Sequence, residues 1–173
     1  KATTINGVPV LESEKVPGVL TLIPVPKNPH GCNVTPDGKY VLASGKLSPT
    51  VSIIDAHTLK TIAEPEVGLG PLHTTFDNRG NAYTSLFVDS QIVKWNIEKA
   101  IKGEPDYIVD RVDVHYNVGH TKAAGADSSY PSGDWLISLN KLSKGMFLPV
   151  GPAMPESQEL IDISGEKMRL VAA

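Results

Sequence analysis

Apolar residues in this chain fall in runs of about four to six, separated by turns rich in Gly, Pro, Asp and Asn, a pattern that predicts strands rather than helices. In TPDGKYVLASGKLSPTVSIIDAHTLK a turn at Asp37-Gly38 leads into a strand from Tyr40 to Ala43. A loop holding Gly45 and Pro49 follows, then a second strand from Val51 to Ile54. The plan returns in FDNRGNAYTSLFVDSQIVKWN, with a turn at Arg79-Gly80, a strand from Ala82 to Phe87, a turn at Asp89-Ser90 and a strand from Gln91 to Trp95. A looser third copy opens at YPSGDWLISLN, with its turn at Ser132-Gly133. Helix is confined to NIEKAIKGE, a short amphipathic turn ending at Gly103, and the proline-punctuated N-terminal part is extended near Val19 to Ile23.

Gly38, Gly80 and Gly133 thus mark copies spaced by roughly 40 to 50 residues, the period of four-stranded β-propeller blades. A small twisted sheet cannot cover both of its apolar faces alone, so such units stack around an axis. The expectation is an all-β chain forming about three blades of a partial propeller. Three blades make an arc rather than a ring, and the chain starts at Lys1, so a piece of a larger protein is expected.

Composition narrows the partners. The 173 residues are 40% hydrophobic and 20% charged, the balance of a globular domain, and the formal net charge of -3 with a pI near 5.9 offers no basic footprint for nucleic acid or an anionic bilayer. No apolar run approaches the roughly 20 residues that span a membrane. The single cysteine, Cys32, excludes an internal disulfide and is expected to pack as a small buried hydrophobe.

The histidines carry the chemistry. His30 stands eight residues before Gly38 and His73 seven before Gly80, both at the beginning of the first strand of their copy, the strand that lines a propeller's channel. His120 precedes Gly133 by thirteen, with the polar loop TKAAGADSSY inserted, and so fits the repeat less closely. Imidazoles converging on an axis form a metal cage suited to copper, zinc, iron or nickel rather than calcium or magnesium. His57 falls in a solvated turn, and His115, alternating with Val114 and Tyr116, is open to surface or hub-facing roles. No CxxC pair, HExxH or GxSxG motif is present.

The wording NPHG, GPLHTTFDNRGNAYTSLFVDSQIVKWN, DVHYNVGH and KLSKGMFLPVGP, in that order and followed by PESQELIDISGEKMRLV, resembles the N-terminal propeller domain of the nitrous oxide reductase family over nearly the whole chain after Gly18. The resemblance implies a seven-bladed propeller with a tetranuclear copper-sulfide cluster held by seven histidines, and a C-terminal cupredoxin domain, absent here, with a dinuclear copper centre. It implies that the chain is a fragment of that propeller domain, residues 1–173. Motif by motif, His30, His73 and His120 match cluster ligands, and His115 matches a histidine that is not one. Asn28 matches a ligand of one structural calcium site; Lys141, through its main-chain carbonyl, and Glu156 match a second. Lys141 is also a candidate proton donor at the cluster edge. Met154 stands where many relatives have histidine, at a position that is not a cluster ligand.

The implied activity is the two-electron reduction of nitrous oxide to dinitrogen and water, in denitrification, in the periplasm. Electrons would come from a cytochrome c or cupredoxin through a head-to-tail homodimer. With three of the seven histidines, the piece alone is expected to be inactive. The rival reading is a non-enzymatic propeller scaffold whose hub histidines only form hydrogen bonds; a mononuclear metal hydrolase on the same fold lacks an evident general base.

Overall fold

The structure, a computed structural model, describes residues 2–141 and 157–173. After a hairpin of β1 (Thr3–Ile5) and β2 (Val8–Val10), three four-stranded antiparallel sheets follow one another. Blade 1 is β3 (Pro29–Val34), β4 (Tyr40–Gly45), β5 (Val51–Asp55) and β6 (Lys60–Ala63), paired in chain order. Blade 2 is β7 (Pro71–Phe76), β8 (Asn81–Leu86), β9 (Gln91–Asn96) and β10 (Ile108–Asp113). Blade 3 is β11 (Val118–Ala123), β12 (Trp135–Asn140), β13 (Ser157–Asp162) and β14 (Arg169–Ala172). The chain is therefore all-β, with three blades of a propeller.

Blade 2 shows why the blades stack. Along β8 and β9 alternate residues face opposite ways, and both faces are buried. Ala82, Val93 and Trp95 pack with Leu42, Val51 and Ile53 of blade 1, while Tyr83 and Ile92 pack with Leu136 and Ile161 of blade 3. The indole of Trp95 is fully buried, and its Nε1 donates to Thr84 Oγ1 at 3.0 Å, so the ring is buried without an orphaned donor. The predicted helix is α1 (Ile97–Lys102), capped by Asn96, whose side chain accepts from Lys99 N, and ended by Gly103 at φ 70°.

Charged groups sew blade 2 to blade 3. Lys94, buried on β9, donates to the carbonyls of Gly165 and Glu166 at 2.8 and 3.1 Å, in the turn between β13 and β14. Arg79 donates to Ile163 O and Ser164 O and pairs with Asp77.

Some expectations are corrected. Cys32 is exposed rather than buried: it pairs with Ala43, on the face opposite Asn33 and Leu42, which face blade 2, and no other described sheet packs on that side. Gly133 does not share the left-handed torsion of Gly38 and Gly80, at φ 73° and 83°; the turn after β11 instead uses Gly125, at φ 73°, and Gly133 packs against Ala124. His115 lies in the link between β10 and β11 rather than in an alternating strand. Val19 to Ile23 forms no strand, whereas Asn6-Gly7, at φ 49° and 81°, makes the tight turn of the first hairpin.

Candidate metal centre

Each blade builds the beginning of its inner strand in the same way. A residue with left-handed backbone comes first: Asn28 at φ 58°, Gly70 at 75° and Asn117 at 57°. Its carbonyl accepts the N–H of the residue just past the second strand, Lys46 at 2.9 Å, Phe87 at 2.7 Å and Lys141 at 3.2 Å. The ladder then slips. Pro29 pairs with Gly45 but Cys32 with Ala43; Pro71 with Leu86 but Thr74 with Thr84; Val118 with Asn140 but Thr121 with Ser138. Two residues in each inner strand are thus left in a bulge, a device that re-aims side chains at a sheet's edge. They are His30-Gly31, Leu72-His73 and Gly119-His120.

The bulges bring the three histidines of separate blades together. The rings of His73 and His120 stack with centroids 4.2 Å apart and planes 22° apart, and His30 meets His73 edge-on at 4.9 Å and 88°. His73 and His120, one position later in the bulge than His30, are the strictly equivalent pair; the insertion before Gly133 masks this in the sequence. Ser85 Oγ accepts the N–H of His73 at 3.2 Å and donates to Gly119 O at 2.6 Å, tying the backbone of one histidine to the residue before the next.

The electrostatics suit neutral ligands. Burial, with help from the imidazoles of His120 and His30 and from Lys141, holds His73 down to about 4. Burial and then Lys141, Lys46 and His120 lower His30 as well. An unprotonated imidazole offers a lone pair, and the Nε2 of His73 is buried with no hydrogen-bond partner among the described residues. A buried polar atom left so is costly unless something binds it, and this orphaned nitrogen is the observation that a bound metal fits.

Among the described residues, no group of three or more His, Cys, Asp or Glu is placed to hold one metal ion. The rings of His73 and His120 are stacked, so their in-plane lone pairs do not meet at one point, while His30 stands across them.

Lys141 follows β12, and its side-chain stem lies against Gly119, next to His120. Asn28 lies in blade 1 and is exposed; Glu156 and Met154 lie outside the described residues. His57 is exposed. His115 is half-buried, its Nδ1 3.0 Å from Ser157 Oγ and its N–H bonded to buried Glu159, whose carboxyl burial pushes up. Sequence reasoning missed Ser85, Lys46 and Glu159, since a serine or a glutamate in a strand and a lysine just past one carry no motif.

The fold and this cluster define a class: a β-propeller whose inner-strand bulges present converging imidazoles. Residues 111–173 match the family model described as nitrous oxide reductase propeller repeat. The chain is 52% identical to the nitrous-oxide reductase of Stutzerimonas stutzeri over 94% of its length, and 52% identical to that of Pseudomonas fluorescens over 99%. It is 47% identical to the enzyme of Ralstonia nicotianae over 99%. It spans only 29%, 30% and 29% of those relatives' own lengths. Over nearly its whole length the chain is thus similar to one segment of the nitrous-oxide reductases.

Among solved structures, a Myceliophteria thermophila Cps50 (Swd1) β-propeller domain superposes with a TM-score of 0.63 at 8% identity, covering 88% of this chain and 41% of that one. Kuenenia stuttgartiensis hydrazine synthase superposes at 0.53 and 14%, covering 90% and 52%. At such identities these likenesses show the fold alone.

Proposed function

We propose that residues 1–173 form part of the propeller domain of a nitrous oxide reductase, and that His30, His73 and His120 contribute three ligands to a tetranuclear copper-sulfide cluster completed by other parts of the protein. The orphaned, neutral Nε2 of His73 carries this reading. When bound, the cluster supplies the two electrons that convert nitrous oxide, with two protons, to dinitrogen and water. The protein's contribution is positioning: three rigid inner strands hold the imidazoles, and Ser85 fixes the spacing of two of them. Lys141, whose side-chain stem lies against Gly119 next to His120, would be placed to deliver a proton at the cluster's edge.

Asn28 in one site, and the carbonyl of Lys141 with Glu156 in another, are oxygen donors of the kind calcium takes. A periplasmic, head-to-tail homodimer with a dinuclear copper centre in a cupredoxin domain, fed by a cytochrome c or cupredoxin, completes the proposal. Among the described residues, no helix is long and apolar enough to cross a membrane.

The test is His73→Ala in the full-length protein, with copper analysis, absorption spectroscopy and a nitrous oxide reduction assay using a reduced dye. Loss of cluster copper and activity, with the dinuclear centre kept, is expected; full copper content and activity would overturn the assignment.

A further inference from the structure

The repeat assigns a role to a residue that no histidine argument reaches. Lys46, Phe87 and Lys141 occupy the same place in the three blades, one residue past the second strand, each with its N–H on the carbonyl of the left-handed residue that opens the inner strand. Two are lysines and the middle one is aromatic. The ammonium of Lys46 lies over the ring of Phe87, 4.2 Å from its centroid. The contact crosses from blade 1 to blade 2 and joins the two turns that seat His30 and His73.

A cation over an aromatic face is held by the ring quadrupole, more strongly when partly removed from water, and both residues are half-buried. No carboxylate is paired with Lys46 among the described residues, so its charge is not cancelled locally. That charge bears on His30 together with the charge of Lys141.

We propose that Lys46 is a positioning residue of the candidate metal centre: pinned on Phe87, it clamps the His30 and His73 bulges to each other and holds a fixed positive charge beside the ligand set. This rests on the proposed copper function for its electrostatic half, while the clamp stands on the contact alone. A cation beside a redox metal favours the reduced form, because reduction adds negative charge nearby.

The test uses the full-length protein with Lys46→Gln, Lys46→Arg, Phe87→Leu and the Lys46→Gln/Phe87→Leu double variant. In the copper-loaded protein, a redox titration followed by absorption is expected to show Lys46→Gln with its hub copper retained. Its midpoint should fall by on the order of tenfold in the reduction equilibrium, about 59 mV for one electron. Lys46→Arg should restore it, and Phe87→Leu should shift it the same way by less. A purely structural lysine would alter copper content without moving the potential; an unchanged midpoint with copper retained overturns the proposal.

In copper-free protein, the two single substitutions should be less than additive in denaturant unfolding, because they remove one shared contact; additivity overturns the clamp. The same cycle decides the matter if Lys46→Gln loses copper. A wild-type protein without redox copper at the hub would refute the proposed function, and the copper-free cycle would still judge the clamp.

Discussion

Gly31→Ala is the most demanding test of the interface on which the site depends. Gly31 sits in the blade 1 bulge between His30 and Cys32, and β3 runs so close to β7 that a Cβ there would fall inside the radius of the Leu72 carbonyl oxygen. It would also lie 2.9 Å from the Leu72 carbonyl carbon and 3.2 Å from His73 Cα. All three atoms are main chain, so no rotamer change relieves the overlap, and the strands must part by roughly 1–2 Å to restore ordinary contact. Overpacking of this kind costs about 1–3 kcal/mol, and the upper end applies because backbone must move on both sides.

The displacement falls where the His30 and His73 rings meet, at 4.9 Å, so copper content should drop along with stability. Gly165→Ala is the control: the nearest atom to its Cβ is 3.6 Å away, and its effect should stay within about 0.5 kcal/mol. Denaturant unfolding and copper analysis of both full-length variants read the outcome. A Gly31→Ala protein as stable and as copper-rich as the control would refute the close approach of the two strands.

The other predictions concern the joint between blades 2 and 3. Lys94→Met keeps the packing of the stem but leaves the carbonyls of Gly165 and Glu166 without their donor, and should cost about 1–3 kcal/mol in urea unfolding. Asp77 gives a pH signature. Burial raises its carboxyl, but bonds from Asn81, from the Arg79 N–H and from Tyr83 outweigh burial and leave it below the usual carboxylate range. A lowered folded value means the unfolded chain binds more protons in the acid range, so this stability is complete above about pH 4 and is lost as pH falls through the folded value. Asp77→Asn should therefore be less stable at neutral pH yet show a shallower loss on acidification; parallel acid limbs in the two proteins would count against the assignment.

Blade boundaries were legible because turn chemistry and apolar runs are local. The strands predicted from Val51 and from Gln91 begin where expected, and α1 ends at Gly103 as its cap demands. Asn6-Gly7 carried the local signal for the first hairpin, but the flanking strands are three residues each and mostly exposed, too short to register as periodic. Bulges were not legible, because an extra residue in one strand is defined only by its partner. Counting from Gly38, Gly80 and Gly133 therefore ranked His120 as the poorer fit, whereas pairing with β12 places it level with His73. Cys32 was misread for a related reason, since burial on a blade face depends on whether another blade packs there and not on hydrophobicity.

The phase of the histidines follows from space rather than from repetition. If blade 1 copied the other two, its histidine would stand at the second bulge position. That position is Gly31, where the carbonyl of Leu72 excludes any Cβ. In blade 3 the first position is Gly119, occupied from outside by the stem of Lys141, and in blade 2 it is Leu72, fully buried in the core. Each bulge thus has one position open to a channel-facing imidazole, and it differs between blades. The perpendicular approach of His30 to His73 is a consequence of that packing. Imidazoles that are not copies of one another present their nitrogens in different directions, which an undistorted repeat would not provide.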